Sequence, residues 1–404
     1  MPERRTATAP PDVAELVRMS REVGSDPALV QCGGGNASVK SDDGETMVVK
    51  ASGTAMSDME PGRGYRRVAL RPVLDMLADP ELGRMESASR EREAARRLAG
   101  AALDDIEGRP SVETPLHAFL PRAVCHTHPA FGNGVCCARL GSELAAEWFA
   151  DLGGPPLFVP YVDPGLPLAR RTFKRVKSYA EQHGAPPKLL FLKNHGVFAS
   201  ADSAEEAVAL SRRVNDTARE KWEAVRTRAV GPHAVEGDPD PAARDRVSEA
   251  MRRIWRDALQ SDPLVVFSAD TAVRVALAHP GIAELMRVPP LTPDHVVYAH
   301  GQPLWIEPQA LDEAVDAQIA DALQAARERL PRAPVAALVS GLGLFAAGAN
   351  RSAALAALAI SSASLLTLLA AHEFGGCRGL TPRAIRYLEE WEAESFRRSV
   401  NREG

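Results

Sequence analysis

The chain has 404 residues, 45% of them apolar and 25% charged, the make-up of a folded globular protein rather than a disordered one. Its formal net charge is −5, with 48 Lys and Arg spread among 53 Asp and Glu, so no basic stripe is expected to hold nucleic acid or an anionic membrane. Five cysteines, Cys32, Cys125, Cys136, Cys137 and Cys377, are an odd number without a C-x-x-C pair, which argues against a disulfide framework or structural zinc and for a reducing, cytoplasmic compartment.

A single hydrophobic core stops growing at about 250–300 residues, so two domains are expected. Residues 1–11 are polar and proline-bearing and read as a disordered tail with no secretory signal. A catalytic domain is expected over 12–227. Within it the pattern predicts a helix near Asp12–Val23, a glycine turn at Gly33–Gly35 and strands near Ala37–Val39 and Thr46–Lys50. A charged helix around Ala88–Ala102, apolar strands at Ala123–His128 and Leu189–Leu192, and a helix over Ser203–Val225 follow. Residues 228–246 turn to Gly, Pro, Asp and Arg without apolar period and read as a linker to a second α/β module over 247–404 with C-terminal helices. Ala353–Ala371 is apolar and long, but it is mostly Ala and broken by Ser361, Ser362, Ser364 and Thr367. A buried helix is therefore expected there, not a membrane span. The basic run Arg170, Arg171, Lys174, Arg175 and Lys177 reads as a solvated helix face.

The stretch Lys188-Leu-Leu-Phe-Leu-Lys-Asn-His-Gly-Val-Phe-Ala199 returns in outline at Ala336-Ala-Leu-Val-Ser-Gly-Leu-Gly-Leu-Phe-Ala346. Gly196 then meets Gly343, Phe198 meets Phe345 and His195 meets Leu342. Either a degenerate repeat or convergence on a strand-turn-helix explains the echo; under the first, chemistry belongs to the first copy alone.

Val124-Cys-His-Thr-His-Pro129 is the strongest chemical signal. Strand side chains alternate, so His126 and His128 project to one side about 7 Å apart at their α-carbons, within reach of one ion. His195, in Lys193-Asn-His-Gly196 after an apolar strand, is the third candidate. Alone, an H-x-H would equally fit two rings that satisfy their neighbours. With a third histidine at a strand end, the set matches a catalytic metal held by three protein ligands. Gly33, Gly34 and Gly35 can expose successive N–H groups to an anion. His295 and His300 are five apart, which fits neither strand nor helix on one face, and no ligand role is expected for them.

In order, Gly35-Asn-Ala-Ser-Val-Lys40, Lys50-Ala-Ser-Gly53, Ser111-Val-Glu-Thr-Pro-Leu-His117, His126-Thr-His128 and Asn194-His-Gly196 resemble the class II aldolase/adducin family over roughly residues 12–225. Leu291-Thr-Pro-Asp-His295 and Ser340-Gly-Leu-Gly-Leu-Phe345 further resemble the aldolase part of rhamnulose-1-phosphate aldolase/alcohol dehydrogenase-like proteins. The dehydrogenase of that subgroup does not follow, and no G-x-G-x-x-G lies in a strand-turn-helix setting, so nicotinamide binding is not expected.

The resemblance implies an α/β/α layered fold around a central mixed sheet, and a smaller α/β second module is expected beside it, either a degenerate repeat or an independent strand-turn-helix. It implies a cytoplasmic carbon–carbon lyase, dimeric or tetrameric. His126, His128 and His195 would hold a divalent metal, zinc with manganese as the alternative. Gly35, Asn36, Ser52, Gly53 and Ser111 would bind a sugar phosphate, with Lys40 and Lys50 as electrostatic support. Glu113 would be the catalytic acid/base, and His117, one helical turn on, a packing residue. The implied reaction is reversible cleavage of a ketose 1-phosphate to dihydroxyacetone phosphate and an aldehyde through a metal-stabilised enediolate. Sugar-phosphate 4-epimerases, dehydratases and decarboxylases use the same metal site, and adducin-like members are non-catalytic interaction modules.

Overall fold

The computed structural model describes residues 9–235, 237–307 and 314–391. Helix α1 (Pro11–Gly24) opens on Pro11, whose fixed φ and missing N–H suit the first turn. The expected tail therefore ends before Pro11, and its residues 1–8 lie outside the described residues. The hairpin β1 (Asn36–Lys40) and β2 (Thr46–Lys50) is followed by a 3-10 turn at Met56–Asp58, β3 (Tyr65–Ala69), α2 (Leu70–Ala78), α3 (Pro80–Arg84) and the charged α4 (Ser87–Gly100). Then come α5 (Thr114–Ala118), β4 (Ala123–Thr127), α6 (Ala130–Cys137), α7 (Gly141–Phe149), β5 (Leu157–Val159), α8 (Leu166–His183), β6 (Leu189–Leu192), β7 (Gly196–Ala201) and α9 (Ala204–Val225).

The stretch expected as a linker is shorter than 228–246. Asp240 accepts hydrogen bonds from the N–H groups of Ala242 and Ala243 and so starts α10 (Pro241–Leu259) inside it. The remaining elements are β8 (Leu264–Ser268), α11 (Thr271–Ala278), α12 (Ile282–Leu285), α13 (Pro293–Ala299), β9 (Leu304–Ile306), α14 (Ala314–Arg327), β10 (Ala336–Val339), β11 (Gly343–Gly348), α15 (Arg351–Glu373) and α16 (Pro382–Glu390).

Two compact units result. The first comprises Met1–Thr127, Phe149–Phe191 and Val197–Val214. It is built on a seven-stranded sheet in the order β3-β2-β1-β4-β7-β6-β5, with β1 antiparallel to β2 and β4, and β4 antiparallel to β7. All five residues of β4 are buried, as expected of a strand covered on both faces. On α8, Arg171, Lys174 and Lys177 face solvent, while Arg170 and Arg175 are bound to the carbonyls of Asp79 and Phe158.

The second unit comprises His128–Trp148, Leu192–Gly196 and Asn215–Gly404. Its four-stranded sheet runs β8-β11-β10-β9, with β10 antiparallel to β11 and parallel to β9. Helix α15 is long and apolar enough to cross a membrane by length and composition. Its buried Ala354, Ala357, Ile360, Leu365 and Leu368 pack into this unit, and Thr367 bonds the carbonyl of Ala130 on α6.

The echo at the β10–β11 hairpin extends far beyond it. β5, β6, β7 and the start of α9 recur as β9, β10, β11 and the start of α15 at a constant offset of 147 positions (157 to 304, 189 to 336, 196 to 343, 204 to 351). β4, α6 and the start of α7 recur as β8, α11 and the start of α12 at an offset of 141 (123 to 264, 130 to 271, 141 to 282). The order β8-β11-β10-β9 reproduces the portion β4-β7-β6-β5 of the first sheet. Registers agree as well: His126 faces Phe198 across β4 and β7, and Phe267 faces Phe345 across β8 and β11. The second module is a shortened repeat of the first.

Candidate metal centre

Three adjacent strands bring separate motifs together. In register, His126 on β4 lies between Asn36 on β1 and Phe198 on β7. The His126 ring is fully buried and stacks on Phe198 at 4.0 Å between centroids. Its Nδ1 is 3.0 Å from the carbonyl oxygen of Val197. A carbonyl only accepts, so the proton stands on Nδ1 and Nε2 presents a lone pair. Gly35 is required immediately before Asn36. Its φ is +71°, and a Cβ there would lie 2.8 Å from the carbonyl oxygen of His126 and 2.7 Å from a Val30 methyl.

Glu113 lies just before α5, and its Oε1 is 3.3 Å from Nε2 of His126. Two donors bonded at about 2.0–2.1 Å to one tetrahedral ion stand roughly 3.3–3.4 Å apart, so this spacing suits a shared cation. Asn36 Nδ2 donates to Ser111 Oγ at 2.5 Å and lies 3.4 Å from Glu113 Oε2, and Ser111 Oγ also accepts from the Glu113 N–H. Backbone pairing ties the other turn to the same corner: Ser52 N–H donates to the Arg109 carbonyl and Ser111 N–H to the Lys50 carbonyl. Gly53 follows with φ +82°. Gly35, Asn36, Ser52, Gly53 and Ser111 are thus strung together by hydrogen bonds and chain continuity on one side of Glu113.

His128 follows the last residue of β4, and its Nδ1 is hydrogen-bonded to Asp294 Oδ2, both residues being buried. An ionised carboxylate accepts only, which again leaves the lone pair on Nε2. His195 occupies the β6–β7 turn behind Asn194, whose φ is +55°. Asn194 Nδ2 donates to the carbonyls of Leu291 at 2.9 Å and Arg378 at 2.7 Å, pinning the turn. The rings of His128 and His195 meet edge to face, 5.5 Å apart.

One ligand atom from each of His126, His128 and His195 can be chosen so that all three lie within 4.8 Å of one another, and all three residues are buried. With Nδ1 of His126 and of His128 engaged by acceptors, the Nε2 atoms of those two rings are the ones placed to bind a divalent cation. The residues present therefore fit the metal that the sequence implied.

Two lysines and a histidine complete the surroundings. The ammonium of Lys40 donates to the carbonyls of His117, Leu120 and Pro121 at 2.9, 2.6 and 2.8 Å. Burial pushes its pKa down to about 7, and its three donors are spent on the end of α5. Lys50 is buried as well. His117 is fully buried, bonds Ser38 Oγ through Nδ1 at 2.9 Å and meets Phe198 edge-on. Desolvation lowers its pKa to about 3, which keeps it neutral and confines it to packing.

Asp294 is the site residue that the sequence did not single out. Its segment, Leu291 to His295, was visible only as part of the subgroup resemblance. His295 takes no part in the histidine cluster: its Nδ1 accepts from the Leu291 N–H.

Residues 14–222 match the family model described as Class II Aldolase and Adducin N-terminal domain. Over 329 residues the chain is 27% identical to the uncharacterized oxidoreductase YuxG of Bacillus subtilis (strain 168), a match covering 75% of this chain and 43% of that protein. The chain thus spans less than half the length of that relative. Among solved structures it is similar to the N-terminal class II aldolase domain of a conserved protein from Thermoplasma acidophilum, at 27% identity and a TM-score of 0.43, covering 55% of this chain and 99% of that one. It is also similar to L-fuculose-1-phosphate aldolase from Thermus thermophilus, at 16% identity and a TM-score of 0.34, covering 52% of this chain and 94% of that one.

Proposed function

This chain belongs to the class II aldolase and adducin family, and we propose that it catalyses reversible cleavage of a ketose 1-phosphate to dihydroxyacetone phosphate and an aldehyde. The observation that carries the reading is the convergence of His126, His128 and His195 beside Glu113, with Nδ1 of the first two already committed to acceptors. An adducin-like interaction module has no use for that arrangement. We assign zinc as the bound ion, with manganese as the alternative, in a cytoplasmic homo-oligomer.

When bound, the cation supplies Lewis-acid polarisation of the substrate carbonyl and stabilises the negative charge that cleavage leaves behind. The remaining work falls to side chains. Asn36, Ser52, Gly53 and Ser111 hold the phosphate through neutral donors, and Gly35 lets that turn approach β4. The C4 hydroxyl proton passes to solvent as the aldehyde carbonyl forms, and the C3–C4 bond breaks with its electron pair passing to the carbonyl as an enediolate. Glu113, in its carboxylic acid form, delivers its proton to C3 and ends as the carboxylate, which in the synthetic direction takes that proton back. A carboxylate beside a cation site and only partly exposed is placed for both tasks.

The test isolates that half-reaction. The purified protein is incubated with dihydroxyacetone phosphate alone in deuterated water, and exchange of one α-proton is followed by NMR. Exchange is expected without any aldehyde, and Glu113→Gln is expected to slow it by about 100–10,000-fold with metal content unchanged. An epimerase on this site would not release and rebind dihydroxyacetone phosphate. Exchange that is absent with this phosphate, yet present with a non-phosphorylated or carboxylated ketone, would overturn the substrate assignment. A fully active metal-free preparation would overturn the mechanism.

A further inference from the structure

The repeat has a discontinuity. Its offset is 141 as far as the start of α12 and 147 from β9 onwards, so the second copy is six residues longer between those elements (147 less 141). Helix α13 lies in that interval. At the same offsets, the three ligand positions of the first copy are occupied in the second by Phe267, Ala269 and Leu342, which cannot bind a cation. The segment leading into α13 is nevertheless dense in buried polar contacts, and they go to histidine-bearing segments rather than to those positions.

We infer that residues 291–294 of the second module are a working part of the metal centre, with Asp294 acting as the positioning residue for His128. Two contacts carry this. Asp294, 3% exposed, accepts from Nδ1 of His128, which fixes the tautomer and orients the ring. The Leu291 carbonyl accepts from Asn194 Nδ2, the residue that sets the left-handed turn in front of His195. The segment is itself braced, because the Leu291 N–H donates to His295 Nδ1 and the His295 carbonyl accepts from the Gly301 N–H. One short stretch therefore grips the residues that present two ligands. A carboxylate behind a ligating imidazole also raises its basicity, so Asp294 contributes to affinity as well as to orientation.

The inference rests on the metal reading of the three histidines, and the experiment separates the two. Full-length protein is stripped with a chelator and titrated with cobalt(II), reading the dissociation constant and the visible d–d spectrum. Wild type, Asp294→Ala and Asp294→Asn are compared. Wild type is expected to bind about one cobalt per chain. Asp294→Ala is expected to bind about 10–100-fold more weakly, with a shifted spectrum. Asp294→Asn keeps an acceptor for Nδ1–H and loses the charge. It should fold even where the alanine variant does not, hold the wild-type spectrum more closely and fall between the two in affinity. Were Asp294 only a packing residue, both variants would lower the unfolding midpoint of the metal-free protein and leave cobalt affinity and spectrum at wild-type values, which would overturn the inference. A wild type that takes up no cobalt would remove the metal reading and this inference together.

Discussion

Asn194, at the tip of the β6–β7 hairpin, has φ +55°, and Gly341, at the matching position of β10–β11, has φ +69°. The next residue closes both turns in the same way: His195 N–H donates to the Leu192 carbonyl and Leu342 N–H to the Val339 carbonyl, each at 3.1 Å. Further along, Ser200 N–H bonds the Lys188 carbonyl and Ala347 N–H the Val335 carbonyl, each at 2.8 Å. Behind the turns an aromatic pair persists, His126 on Phe198 in one copy and Phe267 on Phe345 in the other, with centroids 4.0 and 4.8 Å apart. The backbone does not depend on the ligands. The three histidines that could hold an ion are side chains on a frame whose turn geometry recurs in the second copy without them.

The strongest way to break that comparison is to put the second copy's residue into the first. His126→Phe should bring metal content from about one ion per chain to background and abolish activity. The metal-free variant should remain within about 1–3 kcal/mol of metal-free wild type, the cost of leaving the Val197 carbonyl without its donor. Metal analysis and urea unfolding check both halves. A variant that fails to fold would show that the histidine is structural and the two copies are not equivalent.

Asn194→Gly sharpens the comparison at the turn. Glycine adopts the left-handed conformation readily, as Gly341 does, so the backbone should be unaffected. The cost is the two bonds to Leu291 and Arg378, together about 1–3 kcal/mol, read as a lower urea midpoint at unchanged slope.

The effect that vanishes at neutral pH and shows only in acid concerns His117, for which the second copy carries Ala258 at the offset of 141. Burial holds its folded-state pKa near 3, below the ordinary 6.5. Between those values the unfolded chain binds a proton that the folded chain refuses, so stability falls as the pH drops from about 6.5 towards 3. His117→Gln should flatten the acid limb by up to one proton, about 1.4 kcal/mol per pH unit, with little change in slope above pH 7. An unchanged slope in denaturation curves across that window would place the acid sensitivity elsewhere.

What the sequence made legible follows the range of the contacts. His126, His128 and His195 could be read because strand alternation and a strand end are local signals. That Asn36 and Glu113 belong with them depended on the family resemblance, since strand register and the α5 turn join residues 77 positions apart. Asp294 lies 166 positions from His128 and has no local pattern to betray it. Lys40 shows another limit: its charge was visible in the sequence, but the three carbonyls that its ammonium bonds are set by the end of α5 and the turn after it. The repeat was legible at one hairpin only. The six residues by which the second copy is longer before β9 change its period midway, and any search at fixed spacing loses the first half. In the N-terminal half the elements that were predicted, α1, β1, β2, α4, β4, β6 and α9, fall within a residue or two of their observed ends, because their apolar periods are strong, whereas α5, α6 and β7 beside the histidines are too short to show a period and were not predicted.

The aromatic pair behind each hairpin bears on how such a chain can change over generations. Phe198 carries an imidazole stacked at 14° and 4.0 Å, and Phe345 a phenyl ring tilted at 53° and 4.8 Å, so the position behind the hairpin accommodates either ring by letting it rotate. Exchange of one ring for the other keeps an aromatic contact in the sheet, so the loss of a ligand there need not cost the fold. Selection for foldability acts on the carbon outline of the ring, and selection for chemistry on its nitrogens. Once these are separable, a second copy released from catalysis is free to grow a loop, and a carboxylate arising there can be retained for what it does to the histidine of the first.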